Sequence, residues 1–176
     1  MIIRNTTQIG NPIIRRKSKI VKNIKSKPIQ KIVKDLIDSM RHHGLVGMAA
    51  PQIGHNLRIF VTEIRQTPTR KPKDLDSVRV FINPKIKKFS GKKIAGYEGC
   101  DSVGQPAALF GEVLRSESLE VNAVNEKGKS FALKTKGLLA RIIQHEYDHL
   151  EGLVFLDHIS NPKTLMSRSE YFKNKK

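Results

Sequence analysis

Apolar residues at Ile29, Ile32, Val33, Leu36, Ile37 and Met40 recur at intervals of three and four. That spacing lays one stripe along a helix. The pattern predicts a helix opened by Pro28, with Ser26 as N-cap and Gly44 as stop. A second helix is predicted from Leu138 to Glu151, preceded by Gly137 and stopped by Gly152. Its residues Leu139, Ile143 and Leu150 form a core-facing stripe, while Leu138 and Ile142 share a side with His145 and His149. β-branched and aromatic runs predict strands at Leu57–Ile64 and Val78–Ile82, the latter ended by Asn83-Pro84, and an edge strand at Ile86–Ile94. Two alternating runs, Leu119–Asn125 and Lys129–Thr135, flank Glu126-Lys127-Gly128 as a hairpin.

Other stretches carry turn chemistry. Residues 1–27, with Gly10, Pro12 and the basic run Arg15 to Lys19, read as irregular; Gln66 to Asp76 reads as an exposed loop. Gly44 to Gly54 is rich in small residues, which marks backbone held tightly or approached closely. It lacks the Lys-Ser/Thr of a phosphate loop, so nucleotide binding is not expected. The tail, about residues 159–176, is polar and basic, with Leu165, Met166, Tyr171 and Phe172 as candidate anchors of a short helix or loose end.

At 176 residues the chain is expected to form one domain, 1–176. No apolar run approaches the roughly 18–20 residues that cross a bilayer, so no membrane is expected. The single cysteine, Cys100, excludes an intrachain disulfide framework and leaves a buried thiol, a nucleophile or a metal ligand. The first 34 residues hold ten Lys/Arg and no Asp/Glu, which faintly suggests a transit peptide; no secretory signal is expected. The net charge of +17 permits a ribosomal or nucleic-acid neighbour, against a merely solvated basic surface. No aromatic-interleaved basic stripe is evident, and no specific nucleic-acid sequence is expected as a partner.

The chemistry concentrates in Gln144-His145-Glu146-Tyr147-Asp148-His149-Leu150. Residues four apart on a helix lie one above the other, so His145 and His149 can address one ion. Glu146 is offset by about 100° and can handle the proton of a metal-activated water. A catalytic metal usually keeps three protein ligands and an open position. The third could be Cys100, His42, His43, His55, His158 or a carboxylate. A thiolate with two imidazoles would suit Fe(II), Zn or Ni.

Three ordered motifs then coincide: Gly47-Met48-Ala49-Ala50-Pro51-Gln52, Glu98-Gly99-Cys100-Asp101-Ser102, and Gln144 to Leu150. With flanks such as Phe81-Ile82-Asn83-Pro84 and Gly137-Leu138-Leu139-Ala140-Arg141, the chain resembles the peptide deformylase family over roughly residues 9–158. The resemblance implies metal ligands Cys100, His145 and His149, and Glu146 as general acid/base. It implies an oxyanion site from the Gln52 amide and the Asp101 backbone N–H, and substrate contacts at Val46, Gly47, Gly99 and Ile142. It implies one divalent ion, Fe(II) in the cell with Zn or Ni as alternatives. The activity it implies is removal of the formyl group from the N-terminal formylmethionine of new polypeptides, by a metal-activated hydroxide attacking the formyl carbon. The partners would be N-formylmethionyl nascent peptides and, through the basic surface, the ribosome, in a bacterial cytoplasm rather than an organelle. The expected fold is α+β, a central metal-binding helix surrounded by antiparallel strands.

Two positions depart from the family's pattern: Leu45 stands where a Gly is usual, and Asp101 where a Leu is usual. Leu45 would be strained if that backbone needs a left-handed conformation. The Asp101 carboxylate is expected near the methionine pocket and the metal, altering preference or rate. Val103-Gly104-Gln105 also lacks a usual Pro. A deformylase-like protein of altered activity, a zincin-type peptidase with His158 or Asp157 as third ligand, and a non-enzymatic ribosome-associated protein are the alternatives.

Overall fold

A computed structural model describes residues 2–67 and 71–174, so Pro68 of the predicted loop and the last two lysines lie outside it. In chain order the elements are α1 (Lys27–His42), β1 (Gly47–Ala49), β2 (Ile59–Ile64), β3 (Asp76–Phe89), β4 (Lys93–Gly99), β5 (Leu109–Ser116), β6 (Ser118–Val124), β7 (Ser130–Lys136), α2 (Gly137–Glu151), β8 (Met166–Ser167) and α3 (Arg168–Lys173). Short 3₁₀ turns lie at Pro12–Arg15, Ala50–Ile53, Phe155–His158 and Pro162–Thr164. The α+β expectation holds: two antiparallel sheets, ordered β1-β2-β3-β6-β7 and β4-β5-β8, pack around α2.

α1 forms where the stripe places it, with Ile32, Val33, Leu36 and Met40 buried against Met48, Ile59, Val61 and Val80. Ser26 is its N-cap by position only. Its hydroxyl donates to Asn23 O, and no side-chain cap bond is made. On the other face of the large sheet, Ala140, Ile143 and Leu150 of α2 meet Phe60, Phe81, Val121 and Leu119. Phe60 and Phe81 stack with centroids 4.5 Å apart. The large sheet is therefore filled on both faces, and α2 is pinned through one stripe while its opposite side faces the small sheet.

Strand boundaries needed correction. Asn83-Pro84 does not end a strand; β3 continues through it to Phe89. The register shifts between Ile82 and Lys85, and Pro84 sits inside that bulge, where a missing N–H breaks no ladder bond. Asn83 adopts φ 52°, and its amide both accepts from Val21 N–H and donates to Val21 O at 2.9 Å, which ties the N-terminal segment to the bulge. The edge strand expected at Ile86–Ile94 is two pieces, the end of β3 and the start of β4. β5, absent from the sequence-based assignment, pairs with β4 from Phe110 to Ser116. β1 is an edge strand of the large sheet and β4 of the small one, so both edges border the cleft beside α2.

α2 ends at Gly152, in the left-handed region with φ 79°. A Cβ there would stand 2.5 Å from Arg15 O. Gly152→Ala is therefore expected to destabilise the protein by about 1–3 kcal/mol, combining backbone strain with a clash. Urea unfolding followed by circular dichroism measures this; an unchanged midpoint would contradict it.

Candidate metal centre

His145 and His149 follow from the helical repeat, their ring centroids 5.1 Å apart. His149 is fully buried beneath the core stripe, and His145 lies toward the cleft. β4 delivers Cys100 one residue past its end, with Sγ 3.3 Å from His149 Nε2. Ligand atoms of Cys100, His145 and His149 all lie within 4.8 Å of one another.

A buried charge network holds this trio. Glu98 Oε2 accepts from His145 Nδ1 at 2.9 Å, which leaves Nε2 of that ring as the metal-facing lone pair. Arg115 grips Glu98 with two bonds, Nε to Oε1 at 3.0 Å and Nη2 to Oε2 at 2.9 Å. Its Nη1 donates to Asp148 at 2.6 Å, and Asp148 also meets His158 Nε2 at 2.9 Å. Arg141 Nη1 donates to Glu98 Oε1 at 2.8 Å and to the carbonyls of Gly96 and Val113. Burial pushes the Glu98 carboxyl up, but bonds from His145 and Arg115 outweigh it and hold it well below the usual carboxylate range. Burial likewise raises the Cys100 thiol, yet the facing His149 and His145 bring it down to about 5. Cys100 is thus poised as a thiolate, the form that binds metal.

The other groups close over the trio. Gln52 Oε1 accepts from Ala49 N–H at 2.8 Å, which turns the amide Nε2 toward Cys100 Sγ, 3.6 Å away, and Ser102 Oγ, 3.4 Å away. Glu146 is buried, and burial raises its carboxyl to about 7 despite the neighbouring histidines. Its Oε2 has no hydrogen-bond partner among the described residues. Gly47 makes room for it: a Cβ at residue 47 would overlap the Glu146 carboxylate. A cleft of about 640 Å³ joins these groups, lined by Val46, Gly47, Gln52, Gly99, Ile142 and Glu146 among others.

The donor set fits a metal ion. Two ligands of a tetrahedral zinc with bonds of about 2.3 Å to sulfur and about 2.05 Å to nitrogen stand about 3.6 Å apart. The 3.3 Å between Cys100 Sγ and His149 Nε2 is close to this. One thiolate and two imidazoles suit iron, zinc and nickel. A buried carboxylate oxygen with no hydrogen-bond partner among the described residues, on Glu146, is what a metal-activated water needs beside it.

Every site residue expected from sequence lines this cleft or the trio beneath it. The remaining candidate ligands lie elsewhere: His43 contacts Arg4 O, and His158 serves Asp148. Leu45 carries no left-handed backbone; it packs on the α1 core, so the feared strain is absent. Asp101 is corrected in part. The residue lines the cleft, but its Oδ1 accepts from Ala107 N–H at 2.8 Å and so shapes the loop after Cys100. That loop is also strapped from behind: Thr6 Oγ1 and Gln8 Nε2 both donate to Asp101 O, at 3.0 and 2.8 Å. Arg115, Asp148 and His158 were missed as a group, because a network closed across three elements leaves no periodicity in sequence.

A family model described as polypeptide deformylase matches residues 3–165. The peptide deformylase of Dictyoglomus turgidum is 38% identical over 164 residues, spanning 93% of this chain and 97% of that protein. The crystal structure of peptide deformylase from Ehrlichia chaffeensis superposes with a TM-score of 0.81 at 28% identity, covering 99% of this chain and 94% of that one. A Met-Ala-Ser-bound class I type b peptide deformylase from Acinetobacter baumannii superposes with a TM-score of 0.82 at 28% identity, covering 89% and 99%.

Glu98→Gln keeps the shape of the side chain but removes the charge that fixes the His145 tautomer. Metal affinity is expected to fall by about 10–100-fold, read by competition against a chromophoric chelator. Equal affinity in both proteins would show that Glu98 does not orient the ligand.

Proposed function

The chain belongs to the peptide deformylase family, and on that premise we propose that it hydrolyses the N-formyl group of nascent formylmethionyl peptides, releasing formate. The observation that carries this reading is the convergence of a Cys/His/His donor set, an elevated carboxyl and a side-chain amide donor at one cleft between two sheet edges.

The substrate reads as an extended strand lying between β1 and β4, its backbone pairing near Val46 and Gly99 and its methionine side chain against Ile142. A bound ion would lower the pKa of water and polarise the formyl oxygen. Gln52 Nε2 and the Asp101 N–H would donate to that oxygen as charge builds on it, a contribution worth several kcal/mol in related chemistry. Glu146 would take the proton of the attacking water at its buried carboxylate and return it to the departing amine, and burial supports this by holding the group near neutrality. Glu98 would hold the His145 ring in its ligating orientation, and the apolar flank of Leu138 and Ile142 would limit bulk water. We take Fe(II) as the working ion, with Zn or Ni as substitutes, and the bacterial cytosol beside the ribosome as the place of action; the charge of +17 supports a polyanionic neighbour.

Protein purified without oxygen is expected to carry one transition metal and to release formate from formyl-Met-Ala-Ser, losing both metal and activity in Cys100→Ala. Retained metal in that variant would favour the zincin alternative, and metal without formate release would refute deformylation. Gln52→Ala is expected to lower kcat by about 10²–10³. Gly47→Ala, by displacing Glu146, is expected to lower kcat about 10² with the metal retained. Unchanged kcat in either variant would remove that residue from the mechanism.

A further inference from the structure

The cleft does not stop at the metal trio. Seven Phe and three Tyr are spread over the chain, and four of these ten gather at its outer end. Phe110 of β5 lies against Gly99, where a Cβ would come within 2.7 Å of its ring. Tyr171 of α3 stacks on Phe110 with centroids 4.0 Å apart and planes 4° from parallel. Phe172 meets Phe110 edge-on at 5.8 Å, and Tyr97 of β4 meets Tyr171 at 5.8 Å. All four rings line the cleft that holds Cys100, His145 and Glu146.

Beside these ring contacts, α3 is held where the Arg168 N–H donates to Ala108 O at 3.0 Å. No residue of the helix is buried. Two paired positions, Leu109 with Ser167 and Phe110 with Met166, bring the chain back to β5 just before it. Residues 166–174 also lie beyond the stretch that the family model matches. The tail thus adds a wall to a cleft whose catalytic floor is built without it.

We propose that Tyr171 and Phe172 form a subsite for the residues that follow formylmethionine, favouring apolar and aromatic side chains there. This rests on the deformylase reading for the direction of the substrate. An extended peptide advances about 3.3 Å per residue, and with its formyl end at the trio its next residues leave along β4 toward Tyr97 and the Phe110–Tyr171 stack. Half-exposed rings offer apolar area and edge or stacked partners at small ordering loss. Tyr171 and Phe172 stand on α3, apart from the end of β4 and the helix α2 that carry the trio and Glu146, and this place suits selection through binding of the downstream chain.

The test compares formyl-Met-Ala-Phe with formyl-Met-Ala-Ser, and formyl-Met-Phe-Ala with formyl-Met-Ser-Ala, on the metal-loaded protein. In at least one pair kcat/KM should favour phenylalanine by about three- to tenfold, the range of an aromatic contact. The Tyr171→Ala/Phe172→Ala double variant should bring that ratio to about one, while Tyr171→Phe and the exposed-face change Ser169→Ala should keep it. Calorimetry with the unformylated peptides, which needs no turnover, should show the same preference and the same loss. No preference in the unaltered protein, or a preference that survives the double variant, overturns the subsite. Binding preference without formate release would leave the subsite standing and refute deformylation instead.

Discussion

The Glu98 carboxylate, buried and shared among Arg115, Arg141 and His145, is the interaction on which the site depends. An isolated buried charge is expensive, and each partner reduces that cost while fixing a different element. Arg115 joins β4 to β5 and reaches Asp148 on α2. Arg141 runs from α2 to the β4 backbone. His145 receives its tautomer from the same carboxylate. One anion therefore registers the small sheet against the metal helix, and that registration sets Cys100 at the end of β4 3.3 Å from His149. Removing any single partner leaves the others charged and buried, so the group stands or falls together.

Around that anchor the two sheets divide the labour. The large sheet, packed by α1 on one face and α2 on the other, is a rigid floor and supplies β1 and Gln52. The small sheet supplies Gly99, Tyr97 and Phe110, delivers Cys100 just past β4, and leads through β8 into α3 with its Tyr171 and Phe172. The substrate cleft is the seam between two open strand edges, where an extended chain can satisfy its own backbone groups. The N-terminal strap closes the rear, with Thr7 N–H donating to Gln52 O and Ile9 N–H to Ser102 O. Both groups assigned to the formyl oxygen are thus braced by the same few residues.

Much of this was legible in sequence, for reasons that separate into two kinds. The helices were readable because each carries a full apolar stripe, and α2 also carries its ligands at a spacing only a helix makes useful. The metal trio was readable because the glycine loop, the Cys turn and the His-Glu-x-x-His helix occur together in order. What sequence hid was non-local. Pro84 reads as a strand end, and only the bulge between the Ile82–Val124 and Lys85–Asn122 pairs makes it harmless. Arg115 and Asp148 carry no sequence signal of the ion pair that the fold closes between them beside Glu98. Asp101 reads as an intruder in the pocket, yet its Oδ1 is engaged by a loop amide six residues on. The role of Tyr171 and Phe172 depends on a return of the chain to β5 that no local pattern announces.

X-ray absorption at the metal edge of the loaded protein tests the central claim most directly. If β4 and α2 are registered as described, the spectrum should show one sulfur at about 2.3 Å and two imidazole nitrogens at about 2.0–2.1 Å, with the remaining scatter from light oxygen. A first shell with no sulfur, or with a protein carboxylate in its place, would mean that Cys100 does not hold the ion and that the geometry built on Glu98 does not define the working site.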